Sequence, residues 1–313
     1  MKKALALISG GLDSILAALL IKNQGIKIQG LAFKSLFFAP PIPPIPQIPI
    51  KTIDISKEHL KIVKRPKYGY GKQANPCLDC HLLMLKKAKQ ILSRYDFIIT
   101  GDVLGQRPFS QNQAALNLLD KQSGLQDLIL RPLSAQLLKP TLPEEKGWVD
   151  RNQLLALSGR SRKEQLKLAQ KFKLKSYSPP AGGCILTDPQ YGQRLFKMLK
   201  INPQVNPHDI QLLRLGRHFW YSERSDPAKQ GRTLTVLMIV GRQRQENLKL
   251  KKLRQKNDVL IEPKFFPGPT ILIRSFNHKP SPAILDKAEK LLLQYSPHAP
   301  QKLSSKDFKI MLY

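Results

Sequence analysis

Residues 4–33 read "ALALISGGLDSILAALLIKNQGIKIQGLAF", and this stretch constrains the fold most tightly. A short apolar run ends at two glycines. A helical pattern follows, with Leu12, Ile15, Leu16, Leu19 and Leu20 on one face. Gly25 stops that helix, and a second apolar run begins. Strand, tight turn, helix and strand make a βαβ unit. Two strands joined that way must run parallel, so a parallel sheet is expected.

The same rhythm resumes downstream. "HLLMLKKAKQILSRY" predicts an amphipathic helix, "DFIITGD" a strand, "QNQAALNLLDK" a helix and "DLILRPL" a strand. Residues 1 to about 135 therefore read as a Rossmann-like layer. "SRKEQLKLAQKFKL" predicts a further helix, with Ser161 and Glu164 spaced as a capping box. Beyond about residue 190, "TLTVLMIVG", "DVLIEP" and "TILIRS" predict strands, and "SPAILDKAEKLLLQY" a late helix. The expected fold class is α/β: a Rossmann-like parallel sheet with a second, smaller, basic α/β domain. The expected boundary separates residues 1–188 from 189–313.

Between the early strands lies "APPIPPIPQIPI", with six prolines from Pro40 to Pro49. Such spacing fits neither a helix nor a central strand. It predicts an extended polyproline segment, read as a stiff surface connection in preference to a docking motif.

The loop "SGGLDS", residues 9–14, presents free backbone N–H groups at a helix start, an anion site. Ser9 and Ser14 add hydroxyls. The lysine that completes an ordinary phosphate loop is missing, and Asp13 stands where an anion would bind. Mg²⁺ bridging Asp13 to phosphates resolves that conflict. The competing reading is a plain tight turn. "TGDVLGQRPFSQ", residues 100–111, follows a strand at the sheet's carboxyl edge, where ligands bind in open α/β folds. Gly101 there lets AMP approach the backbone, with Asp102, Gln106 and Arg107 as polar neighbours; the alternative is a solvated loop.

The chain has three cysteines, Cys77, Cys80 and Cys184, too few for a disulfide scaffold. Cys77 and Cys80 form a C-x-x-C in "NPCLDCH", just before a helix, where thiols are expected to have lowered pKa. Cys184 lies in "PPAGGCILTD", a proline–glycine loop. Half a zinc site completed by His81, a redox pair, and a small buried hydrophobe are the other readings.

Lys and Arg number 52 against 22 Asp and Glu, a net charge of +30 that points to a polyanionic partner. "GRQRQENLKLKKLRQK", from Gly241, and "GRSRKEQLKLAQKFKLK", from Gly159, are strongly basic. They read as surfaces tracking an RNA backbone, against the simpler reading of solvated helix faces. "MKKALALISGGL" mimics a signal peptide, but Ser9, Gly10, Gly11 and Asp13 interrupt it. It is read as the first strand of a cytoplasmic protein without a membrane partner.

"SGGLDS" resembles the signature of the PP-loop ATP pyrophosphatases, which cleave ATP between the α- and β-phosphates and adenylate a carbonyl oxygen. "NPCLDCH" resembles an element of the MnmA-type 2-thiouridylases. Together with "YGYGKQA", "RPLSAQLLKPT", "GWVDR", "SGRSRKEQ", "PAGGCILTDP" and "LGRHF", these motifs place the resemblance in the tRNA-thiolating branch, over nearly the whole chain. The resemblance implies that Ser9, Gly10, Gly11, Asp13 and Ser14 bind the pyrophosphate, that Phe33 holds adenine unless it is plain core, and that ATP and Mg²⁺ are required. It implies catalytic roles for Asp13, Cys77, Cys80 and Cys184. The cysteines either hold a [4Fe-4S] cluster, the favoured expectation, or relay a persulfide. tRNA is the implied substrate. The sulfur donor would be sulfide, a cysteine desulfurase or a sulfur carrier. "LGRHF" and "VGRQRQEN" also resemble the RNA-binding domain of NFACT-type proteins. The rival readings are nitrogen in place of sulfur insertion, and a non-catalytic RNA-binding protein.

Overall fold

The computed structural model of the protein describes residues 1–39, 42–177, 183–224, 233–276, 278–300 and 307–313. The chain divides into two compact units, Met1–Gly192 and Gln193–Tyr313.

The first unit opens with β1 (Lys3–Leu7), α1 (Leu12–Lys22), β2 (Lys27–Lys34), β3 (Ile50–Asp54) and α2 (Ser56–Lys64). It continues with α3 (Cys77–Lys89), β4 (Phe97–Ile99), α4 (Gln113–Ser123), β5 (Ile129–Leu130), α5 (Leu142–Glu145) and α6 (Lys163–Lys171). The five strands lie in the order β3-β2-β1-β4-β5, and every pairing is parallel. Strand periodicity divides the core between the two faces. Ala4, Ala6, Phe97, Ile99 and Leu130 pack with α1 and with Ala169 of α6. Leu5, Ile98 and Ile129 pack on the other face with Leu78, Leu82 and Leu85 of α3 and Ala115 and Leu119 of α4. The chain leaves β1 toward β2 and β3, then returns to place β4 on the other side of β1. That reversal opens a crevice beyond the carboxyl ends of β1 and β4.

Two expectations are corrected in this unit. The proline segment is not simply an extended surface connection. Ile45 and Ile48 form an antiparallel bridge, with Gln47 at φ 59° between them. Both isoleucines are buried in the core with Leu19 and Ile28. The prolines bar regular structure, but the apolar residues between them still gain by leaving water. Pro40 and Pro41 lie outside the described residues. The capping box at α6 does not form. Arg162 is the N-cap, Ser161 Oγ accepts only a long 3.4 Å bond from the Lys163 N–H, and Glu164 pairs with Lys167 instead.

α7 (Pro189–Ile201) contains the division between the units. The second unit holds α8 (Pro207–Leu212), β6 (Arg217–Arg224), β7 (Thr233–Val240), α9 (Arg244–Leu253), β8 (Val259–Pro263), β9 (Ile271–Ser275), α10 (Pro282–Gln294) and β10 (Phe308–Leu312). Its strands form an antiparallel sheet in the order β10-β8-β9-β7-β6. Val236, Met238, Ile261 and Ile273 pack against Ile284, Ala288 and Leu292 of α10.

Arg274 on β9 is buried between two carboxylates. It donates to Asp258 at 3.0 and 2.5 Å and to Asp209 of α8 at 2.6 Å. Replacing Arg274 by methionine would leave Asp209 and Asp258 buried without their cation. The expected cost is about 3–5 kcal/mol, read as a lower urea midpoint. An unchanged midpoint would show that the two acids find other partners.

Candidate functional site

The crevice at the strand reversal is a cavity of about 480 Å³ within the first unit. One wall is the glycine loop. Gly10 takes φ 78°, a left-handed conformation that side chains resist, and so turns the chain sharply out of β1. Gly11 is the N-cap of α1, with no side chain bonded to the helix end. The first-turn amides therefore remain available to a ligand. Hydroxyls brace the turn: Ser14 Oγ donates to the Gly11 carbonyl at 2.8 Å and accepts from the Ser9 N–H at 3.2 Å.

Asp13 projects from the first turn. Its Oδ2 accepts from Gln106 Nε2 at 3.3 Å and lies 3.9 Å from Arg162 Nη2. Its Oδ1 is buried with no hydrogen-bond partner. An orphaned carboxylate oxygen beside an anion cradle fits a divalent cation that keeps waters and takes its other ligands from phosphates.

The cysteines line the same cavity. α3 begins at Cys77, so the C-x-x-C forms the helix's first turn. Asn75 fixes its approach: Asn75 Oδ1 accepts from the Gln73 N–H, and Nδ2 donates to Cys77 Sγ, both at 3.1 Å. Asp79 accepts the Lys67 and Tyr68 N–H groups at 3.0 Å, tying the preceding loop to the helix. Cys184 caps a short 3-10 turn, Ile185–Thr187. The Ile185 N–H donates to the Phe37 carbonyl at 3.0 Å, which brings Cys184 to the cavity from a distant part of the chain. Pro179–Gly182, the rest of the expected proline–glycine loop, lie outside the described residues.

Cys80 does not have the lowered pKa expected of a helix start. Burial pushes its thiol well above the ordinary value, and the neighbouring Cys184, Cys77 and Asp79 push it further. That mutual influence places the three sulfurs in one neighbourhood. Yet no group of three or more Cys, His, Asp or Glu side chains among the described residues is arranged to hold a metal ion. All three cysteines line the one cavity, and the expected cluster ligation by Cys77, Cys80 and Cys184 is not shown by their arrangement.

The cavity floor is the β4 exit loop. Asp102 accepts from Thr100 Oγ1 at 2.8 Å and Gln111 Nε2 at 3.1 Å. Burial opposes its ionisation, but His81, Arg131 and these two donors outweigh it and hold the carboxyl below its ordinary value. Burial lowers the His81 pKa against the pull of Asp102. His81 thus belongs to this polar group, and it joins no metal-ligand set among the described residues.

The structure brings Ser9, Gly11, Asp13, Ser14, Phe33, Gly101 and all three cysteines to this one cavity. Gly10 shapes the loop from behind. Phe33 both lines the cavity and packs in the core with Leu31 and Ile55. Arg160 and Arg162, from the basic stretch read as an RNA surface, line the cavity. Gly159, at φ 77°, turns the chain just ahead of them. Sequence reasoning missed His59, buried between Phe37 and Phe38 with its pKa lowered by burial to about 4.

The second basic stretch divides likewise. Arg242 is bound to Glu246, Lys251 pairs with Glu262 at 2.7 Å, and Arg254 lies over the Tyr313 ring. Arg244, Lys249, Lys252 and Lys256 remain exposed. No helix among the described residues is long and apolar enough to cross a membrane.

No family model matches the chain. It is 27% identical over 227 residues to the tRNA-specific 2-thiouridylase MnmA of Caldicellulosiruptor saccharolyticus, covering 63% of this chain and 59% of that protein. It is 25% identical over 181 residues to the Karelsulcia muelleri protein of the same name, covering 51% and 47%. The chain therefore spans about half to three fifths of these relatives' length. Among solved structures, a 4-thiouridine synthetase in complex with RNA and bound ATP aligns at a TM-score of 0.39 and 17% identity, covering 68% of this chain and 52% of that one. A predicted subunit of tRNA methyltransferase from Methanocaldococcus jannaschii aligns at 0.36 and 16%, covering 67% and 91%. Those two alignments are too loose to argue from. The strand order, the intact Ser-Gly-Gly-Leu-Asp-Ser loop at its crevice and the distant similarity to the MnmA proteins relate the chain to the thiouridylase-like PP-loop ATP pyrophosphatases.

Proposed function

We propose that the protein is an ATP-dependent tRNA sulfurtransferase that converts a uridine carbonyl into a thiocarbonyl. The observation that carries this reading is the single cavity lined by both the phosphate loop and all three cysteines. Activation and sulfur delivery act on the same carbon, so their groups must face one space.

In this reading the amides of α1's first turn and the Ser9 and Ser14 hydroxyls bind the phosphates of ATP. Asp13 would hold Mg²⁺, which neutralises phosphate charge when bound. The uridine oxygen attacks the α-phosphorus, the bond to the bridging oxygen breaks, and pyrophosphate leaves with that electron pair. Gly101 lets the remaining AMP lie against the backbone, and Phe33 offers adenine an apolar surface. A persulfide on one of Cys77, Cys80 and Cys184 then attacks the activated carbon. A second thiolate takes the inner sulfur as a disulfide, AMP departs, and the thiocarbonyl forms. A thiol reductant returns the disulfide to two thiols, and a cysteine desulfurase or sulfur carrier that bears a persulfide reloads one of them by passing its outer sulfur to the thiolate; sulfide would reload instead by opening the disulfide itself, which leaves one persulfide and one thiol. The exposed Arg244, Lys249, Lys252 and Lys256 support a polyanionic substrate.

Nucleoside mass spectrometry of tRNA from a deletion strain tests this. One thionucleoside is expected to disappear and to return on complementation. An unchanged thionucleoside profile would overturn the sulfur reading, and loss of an amino-substituted nucleoside would replace it with nitrogen insertion.

A further inference from the structure

We infer that Arg162 supplies the cation the glycine loop lacks and binds the departing pyrophosphate; this deepens the proposed reaction and rests on it. Loops that grip β- and γ-phosphates commonly carry a lysine, and residues 8–14 contain none. A leaving pyrophosphate gains charge as the bond to the α-phosphorus breaks, so the site needs a positioned donor there.

The fold delivers Arg162 to that place through a rigid junction. Leu104, in the β4 exit loop, forms a parallel bridge with Ser158. The Gly159 N–H donates to the Leu104 carbonyl at 2.7 Å. The buried Ser134 hydroxyl locks the same junction, accepting from the Leu104 N–H at 3.0 Å and donating to the Leu157 carbonyl at 2.6 Å. The turn before α6 is thereby fixed to the loop that carries Gln106 and Arg107.

At the end of that turn, Arg162 Nη2 stands 3.9 Å from Asp13 Oδ2, beyond hydrogen-bond length. Arg162 Nε is buried with no hydrogen-bond partner, and so is Asp13 Oδ1. An unpaired donor and an unpaired acceptor on adjacent charged side chains are costly to keep buried. One ligand satisfies both: a polyphosphate, whose oxygens take the guanidinium N–H groups and whose divalent cation takes the carboxylate. The planar fork of arginine spans two oxygens, which a lysine ammonium does not. Arg162 donates hydrogen bonds to the leaving group and gives up no proton.

Magnesium pyrophosphate binding by calorimetry and tRNA-dependent pyrophosphate release test this on the full chain. R162Q is expected to weaken pyrophosphate binding and lower kcat each by about 100-fold, with a smaller change in KM for ATP. R162K, which keeps the charge and loses the fork, is expected to recover only part of both. K121Q removes an exposed charge on α4 that does not line the cavity and is expected to change neither. Should R162Q fail to fold, R162K decides: wild-type pyrophosphate affinity there would overturn the role of the fork. If wild type releases pyrophosphate and a folded R162Q matches it, Arg162 has no such role and the proposed function stands. If wild type binds neither ATP nor pyrophosphate, both fall.

Discussion

Alanine at Cys77, Cys80 and Cys184 together is expected to lower thionucleoside formation by about 1000-fold or more, because a covalent sulfur carrier has no substitute in the cavity. tRNA-dependent pyrophosphate release is expected to continue, since the glycine loop and Asp13 are left unchanged. The two steps separate cleanly: liquid chromatography with mass spectrometry reads the nucleoside, and a coupled phosphate assay reads the activation. Unchanged product in the triple variant would remove sulfur delivery from these residues and leave nitrogen chemistry as the better reading. Loss of both signals would mean that the cysteines hold the fold of the site. The single variants then distinguish carrier from resolving thiol, because only the resolving variant should accumulate a covalent tRNA–protein adduct.

Gly101→Ala is expected to disable nucleotide binding from outside the glycine loop. A Cβ built on Gly101 would lie 2.5 Å from Ser14 N, 2.6 Å from Ser14 Cα and 2.7 Å from the Asp13 carbonyl carbon. All three are backbone atoms at the start of α1, so no side chain can rotate away. The end of β4 or the amide cradle must shift instead. Misplacement of that order costs about 100-fold in ATP-dependent rate, and overpacking costs about 1–3 kcal/mol of stability. Fluorescent-nucleotide titration and urea unfolding of the same variant measure the two effects. Wild-type affinity in Gly101→Ala would show that the loop and β4 move independently.

Much of the first unit was legible because its signals are local. A strand, two glycines and a helical period within residues 4–33 specify a βαβ unit by steric rules alone. Elements whose stability comes from partners were not legible. β3, β6 and β10 are short or polar runs that count as strands only because a neighbour accepts their hydrogen bonds. The isoleucines among the prolines read as a surface segment, and tertiary burial overruled that reading.

The sequence by itself determined the turn geometry of the glycine loop. Ser9, Gly10, Gly11, Asp13 and Ser14 fall within six consecutive residues, and their arrangement is a property of one turn and one helix end. The composition also fixed three thiols and an excess of base. Only the tertiary structure decided where these meet. Gly101, Cys77, Cys184, Arg160 and Arg162 converge because parallel strands put successive loops at one sheet edge, and chain order gives no measure of that distance. It also decided which charges are spoken for. Arg242 and Lys251 are bound to acids, and Arg162 turns into the cavity, because the partners that fix a side chain's direction come from elsewhere in the fold.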